Sequence, residues 1–122
     1  MEDIFYLDLY KNELFGWEKK RSKLVVMAMM DKIKRGADFP AVPVRKIGEG
    51  RYALCGDIFL SSGYIDGGHN RAIAHYLARK ELKCRLIKEP NRGYDFSSLF
   101  FPIKDSELTD LTEEELSLLY SL

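Results

Sequence analysis

The stretch Ile65-Asp66-Gly67-Gly68-His69-Asn70-Arg71-Ala72 constrains this chain more than any other. A β-type run precedes it and a helix-type run follows it. Glycines at such a junction let the backbone take up positive φ and approach a neighbour or a ligand closely. The first amides of a helix point outward without intrahelical partners and carry partial positive charge. The usual cap there is Ser, Thr, Asp or Asn, and cations are disfavoured at that end. His69 and Arg71 at the helix start therefore predict an anion at the turn. It would rest on the amides of residues 68–71, with Arg71 adding a bidentate fork. A guanidinium without such a partner opposes the dipole by about 0.3–1 kcal/mol. Truncating Arg71 is then expected to leave the ligand-free chain no less stable. The plainer reading, in which Gly67 and Gly68 are ordinary turn residues, stands beside this one. The stretch is neither the GxGxxG fingerprint nor the phosphate loop ending in Gly-Lys-Ser/Thr.

The length of 122 residues fits one domain. With 46% hydrophobic and 31% charged residues the composition is globular. Nineteen basic residues balance nineteen acidic ones, a poor electrostatic footprint for a dedicated nucleic-acid binder. Cys55 and Cys84 lack CxxC spacing and only two histidines could join them, which argues against a zinc site and for buried free thiols. Met1-Glu2-Asp3 is acidic, no apolar leader core follows, and no run reaches membrane-spanning length. The expectation is a cytoplasmic chain with no membrane partner.

Along the chain, residues 4–10 read as a first strand or extended arm with Asp8 inside it. Leu14-Phe15-Gly16-Trp17 reads as a turn that buries Trp17 or as an exposed hydrophobic contact, and Glu18-Lys19-Lys20-Arg21 as a solvated charge run or, alternatively, a phosphate or nucleic-acid contact. A helix over 22–35 is capped by Ser22 and ended by Gly36. It is apolar nearly all round and so is expected to be largely buried. Residues 41–47 and 51–60 read as a hairpin around Gly48-Glu49-Gly50, with Pro40 and Pro43 at an edge or strand entry. A helix over 71–80 presents Ala72, Ile73, Tyr76 and Leu77 as its apolar stripe, leaving His75 at the surface or behind the site. Residues 82–88 alternate as a strand, with Leu82, Cys84 and Leu86 on one face. The tail is aromatic and irregular over 94–102. A helix over 113–121 follows, started by a Thr112/Glu115 capping box, that covers the sheet or forms a dimer element.

This order, with Val42-Pro43-Val44 opening the hairpin and Asp66-Gly67-Gly68-His69-Asn70-Arg71 following it, resembles the ParB N-terminal/sulfiredoxin-like family over roughly residues 20–88. The resemblance implies an α+β core over about 20–88 with a small mixed sheet and flanking helices; the length makes 1–122 a single domain, whose helical tail at 94–122 lies outside the resemblance. It implies that Gly67, Gly68, His69, Asn70 and Arg71 hold the phosphates of a nucleotide or other phosphorylated small molecule, with ATP or CTP and Mg²⁺ as ligands. Asp66 and His69 are then the candidate catalytic residues for phosphoryl transfer or hydrolysis. Some departures bear on the chemistry. His69 stands where sulfiredoxins carry the reactive cysteine, so reductase chemistry lacks its nucleophile. The Glu-Arg-Arg of the partition proteins is missing, and no helix-turn-helix region follows. The Asp-Gly-His-x-Arg of the related kinases is interrupted by one extra glycine. The alternative is a ParB-like nucleic-acid-associated accessory protein, DNA-binding or nuclease. It would touch DNA weakly through Lys19, Lys20, Arg21, Arg45, Lys46 and Arg51. A second copy of the chain is a further expected partner.

Overall fold

The computed structural model describes residues 3–55, 68–88 and 101–109. Its first element, β1 (Asp3–Leu7), stops three residues short of the strand expected over 4–10. Asp8 ends it. Its Oδ1 accepts from the amides of Tyr10 at 2.9 Å and Lys11 at 3.2 Å, which turns the chain back. A short acidic side chain that binds nearby amides competes with a strand ladder in this way. The chain then forms β2 (Glu13–Gly16) where a turn was expected, and β3 (Lys20–Ser22) out of the charge run.

Ser22 caps helix α1 (Lys23–Lys34) as expected, its hydroxyl accepting from the Val25 amide at 3.3 Å. Gly36 ends it at φ +91. The Gly36 amide donates to Ile33 O and the Ala37 amide to Lys32 O, the paired bonds of a Schellman stop. The expectation of a largely buried helix is wrong: only Val26 and Ile33 are buried, while Leu24 and Met27 are 60% and 52% exposed. The inward stripe is Val26, Met29, Met30 and Ile33, an i, i+3, i+4, i+7 set with its other face in solvent.

The hairpin follows as β4 (Val42–Gly48) and β5 (Arg51–Leu54), turning at Gly50 with φ +66. Helix α2 runs from His69 to Ala78 and β6 from Leu82 to Leu86. Strand β7 (Phe101–Pro102), a 3₁₀ turn (Ile103–Asp105) and β8 (Glu107–Thr109) complete the described elements. The expected continuation of the second hairpin strand to residue 60 and the helix expected over 113–121 lie outside the described residues.

The fold is mixed α+β. Six strands form one sheet in the order β1-β6-β4-β5-β2-β7, and β3 pairs with β8 in parallel as a second, two-stranded sheet. In the large sheet β4 lies parallel to β6 and β2 lies parallel to β5, while the remaining pairs are antiparallel. Strand β4 is thus central, and Pro43, its second residue, occupies the strand entry rather than an edge, the second of the two expected positions. The fold tolerates the proline because its polar side faces the end of a ladder. Pro43 O accepts from the Cys55 amide at 2.9 Å, one residue past the end of β5, so the missing N–H falls where pairing is already running out.

Helices α1 and α2 pack against each other and against the sheet. Val26, Ile33, Ala72, Ile73 and Ala74 join Val42, Val44, Leu54, Leu82 and Cys84 in one core cluster. Both cysteines are free. Burial pushes the Cys84 thiol up to about 12 and the Cys55 thiol up to about 11, the latter against the opposing pull of Arg45 and Arg85. Among the described residues no helix is long and apolar enough to cross a membrane.

Candidate site at the start of helix α2

Gly68 is the N-cap of α2 and holds φ +78, ψ 17 in the left-handed region. Its carbonyl accepts from the Ala72 amide at 3.0 Å, closing the first turn. A Cβ here would lie 2.6 Å from Val42 Cγ1, and Val42 is fully buried on β4. Glycine is therefore required twice, for the dihedral and for contact with the sheet. The turn carries no side-chain cap and no acidic residue in its first turn.

His69 is 3% exposed. Its Nε2 accepts from the amides of Trp17 at 3.0 Å and Glu18 at 3.2 Å. An amide only donates, so Nε2 is the acceptor nitrogen of a neutral ring whose hydrogen sits on Nδ1. Nδ1 faces Glu18 Oε1 at 3.7 Å. The Trp17 ring meets the imidazole edge-on, with centroids 4.4 Å apart. Gly16 makes the approach feasible, because a Cβ there would lie 2.7 Å from His69 Nε2. The imidazole thus anchors the chain leaving β2, and its basic nitrogen is committed to two backbone donors.

Asn70 Oδ1 accepts from Arg21 Nε at 3.0 Å, and Arg21 also pairs with Glu18. Glu18 and Arg21 thereby join the start of α2, a connection across 49 residues that the charge run did not signal. The one available sign was Gly16, since a glycine within a strand marks close approach of another group.

Arg71 is 8% exposed, and its Nη1 donates to Pro40 O at 2.9 Å and Ala41 O at 3.3 Å. These carbonyls give the guanidinium protein partners. That corrects the expectation that its truncation leaves the ligand-free chain undisturbed. Charged hydrogen bonds of this kind are worth about 1.5–3 kcal/mol. His75 is 9% exposed, so of its two expected places it takes the one behind the site rather than the surface, and Leu77 of the expected stripe is 41% exposed. The helix is rotated so that His75 turns inward. Its Nδ1 lies 2.6 Å from Arg71 O, and since a carbonyl only accepts, that nitrogen carries the hydrogen. Burial holds the His75 pKa below its ordinary value, and the nearby Arg71 charge adds to this, against the opposing effect of the backbone hydrogen bond.

Of the expected site, Gly68, His69, Asn70 and Arg71 are brought together on one helical turn, whereas Asp66 and Gly67 lie outside the described residues. Among the described residues no group of three or more His, Cys, Asp or Glu could hold a metal ion. A cavity of about 280 Å³ is lined by none of Gly68–Arg71. Of the basic residues considered for nucleic acid, Lys19 pairs with Glu107 at 3.8 Å, Arg21 with Glu18, and Lys46 with Glu49 at 3.6 Å. Arg51 lies over the Phe15 ring, 5.2 Å from its centroid. Compared with known proteins, the chain matches no family model, no curated protein and no solved structure.

Proposed function

We propose that the start of α2 binds the phosphate of a nucleotide or other phosphorylated small molecule, with ATP or CTP and Mg²⁺ as the ligands suggested by the ParB/sulfiredoxin-like resemblance. One observation carries the reading. A left-handed glycine opens a helix that has neither a side-chain cap nor a first-turn acid, while Arg71 lies in that turn and Arg21 binds it through Asn70. Such an end favours negative charge. The order α1, Gly36, β4–β5 hairpin, α2, β6 also agrees with that family's layout.

In this reading Arg71 and the first-turn amides bind, and His69 positions the Trp17–Glu18 segment beside them. A base for phosphoryl transfer or hydrolysis then falls to Asp66.

Melting curves test the proposal, recorded with inorganic phosphate, ATP and CTP, each with and without Mg²⁺. A ligand at 100 times its Kd adds about 2.7 kcal/mol, a rise of several degrees for a domain of this size. Arg71→Lys keeps the charge and loses the fork, so its ligand-induced rise should be much smaller. Arg21→Gln should reduce it less. No rise with any of the three at millimolar concentration, or a rise undiminished in Arg71→Lys, would leave the cluster with a structural role only.

A further inference from the structure

The opposite end of α2 borders the cavity of about 280 Å³. Tyr76 lies seven residues beyond His69, which is about 10 Å along the helix axis. The floor of the cavity is apolar, made by Leu9, the buried Leu14 and the buried Ile103, with Pro102 beside them. Its aromatic wall is Tyr10 and Tyr76, whose rings stack with centroids 4.7 Å apart and planes 17° from parallel. Tyr10 is half exposed yet held in place. Its hydroxyl donates to Tyr76 O at 2.7 Å, and the Arg79 guanidinium lies 5.9 Å from its ring centroid.

The loop carrying this wall is fixed as well. Asp8 O accepts from the Asn12 amide and from Asn12 Nδ2, both at 3.0 Å, in addition to the two amides bound by its carboxylate. Three charged side chains complete the lining: Lys11, Lys104 and Glu13. All three are exposed, and none has an ion-pair partner among the described residues. Two ammoniums against one carboxylate leave the rim net positive.

We propose that this cavity binds a small organic anion, an apolar or one-ring aromatic body bearing a carboxylate or a phosphate. The body lies on Leu9, Leu14 and Ile103 beside Tyr76, and the anionic group meets Lys11 and Lys104. Ligand pockets usually measure about 300–1,000 Å³ and combine an apolar lining with a few fixed polar groups. This one is at the small end, which limits the guest to about one ring and its substituent. The fixed 8–12 loop lowers the ordering cost of binding. The proposal is independent of phosphate binding at the start of α2.

Amide NMR titrations of the full chain test it with four probes of one size: phenylacetate, phenyl phosphate, phenylacetamide and phenethylamine. The two anions should shift the amides of residues 9–14 and 103–104 and saturate. The neutral and cationic probes should bind about tenfold more weakly or less, the loss expected for a charge-assisted contact. Whichever anion binds more tightly identifies the preferred group. Lys11→Glu with Lys104→Glu, both exposed, should weaken the anions by at least about tenfold. Lys34→Glu, an exposed charge reversal at the end of α1, should not. Equal binding of all four probes, equal effects of the three reversals, or no saturable shift at the lining residues would overturn the proposal. Shifts from phenyl phosphate at Gly68–Arg71 alone would count against the cavity and for the other site.

Discussion

Helices α1 and α2 invert what their compositions suggest. Helix α1 reads Lys-Leu-Val-Val-Met-Ala-Met-Met-Asp-Lys-Ile-Lys and buries two of its twelve residues, Val26 and Ile33. Helix α2 reads His-Asn-Arg-Ala-Ile-Ala-His-Tyr-Leu-Ala and buries six of ten, among them His69, Arg71 and His75. The apolar helix lies at the surface and the polar one is interior. Buried polar groups are tolerated when each finds a partner, and α2 supplies them. His69 takes two amides, Arg71 reaches two carbonyls, and His75 binds the carbonyl one turn back. Among the described residues helix α1 has no comparable polar anchors, and it meets the core along one stripe. Burial therefore follows position between β4 and the chain around residues 16–18 rather than hydrophobicity.

The sharpest way to break this comparison is at Gly68, where α2 meets β4. Gly68→Ala adds a Cβ at φ +78 and 2.6 Å from Val42 Cγ1. Left-handed strain costs about 1–3 kcal/mol, and overpacking a fixed contact costs about the same again. A loss of about 2–6 kcal/mol in urea unfolding is expected. A loss below about 1 kcal/mol would mean that the start of α2 is not wedged against Val42, and the contrast between the helices would lose its cause.

What could be read from residue order, and what could not, follows the range of each interaction. The Ser22 cap, the Gly36 stop, the Gly50 turn and the alternation of Leu82 and Cys84 are local devices, and each lies where its local chemistry requires. The stripe Val26, Met29, Met30 and Ile33 was also present, but the apolar residues between hid it. Strand β2 was missed because it is four residues long, contains Gly16, and takes partners from β5 and β7, both distant in sequence. The same is true of β3, which needs β8. At the candidate site, the residue types at 68–71 drew attention correctly to a special turn. His69 and Arg71 reach backbone atoms at 17, 18, 40 and 41, and a main-chain donor or acceptor leaves no mark on residue identity. The inward rotation of His75 has the same origin, since its partner is a carbonyl of its own helix.

A smaller effect is expected from pH, and it separates α2 from α1, which carries no histidine. His75 is held below its ordinary pKa of 6.5 when folded. On acidification the unfolded chain binds its proton first, so the folded state loses stability as pH falls below about 6.5, down towards the depressed folded value. Above 6.5 both states are neutral at this residue and the contribution is complete. His75→Gln removes the titrating group and keeps a donor for Arg71 O. The urea midpoint of the wild type should decline between pH 7.5 and pH 5.5 more steeply than that of the variant. Parallel declines would show that acid acts elsewhere and that His75 does not register its burial.

The smallest expected effect is on the outer face of α1. Leu24→Gln and Met27→Gln place polar groups where the side chains are already 60% and 52% exposed. Glutamine has nearly the helix propensity of leucine and methionine. Neither residue belongs to the core cluster or packs against it. Surface changes of this kind lie within about 0.5 kcal/mol of zero, and the two together should leave the melting temperature within a few degrees of the wild type. Val26→Ala, two residues after Leu24 and on the buried stripe, should cost far more, because it removes methyl groups from a site with no solvent exposure. The informative failure is a cost above about 1 kcal/mol for the glutamine pair that grows with protein concentration. Mass action would then identify a partner copy covering Leu24 and Met27. In that case α1 would be as buried as its composition suggests, with the missing half of its surroundings supplied by a second chain. The inversion between the helices would then hold for a single copy only.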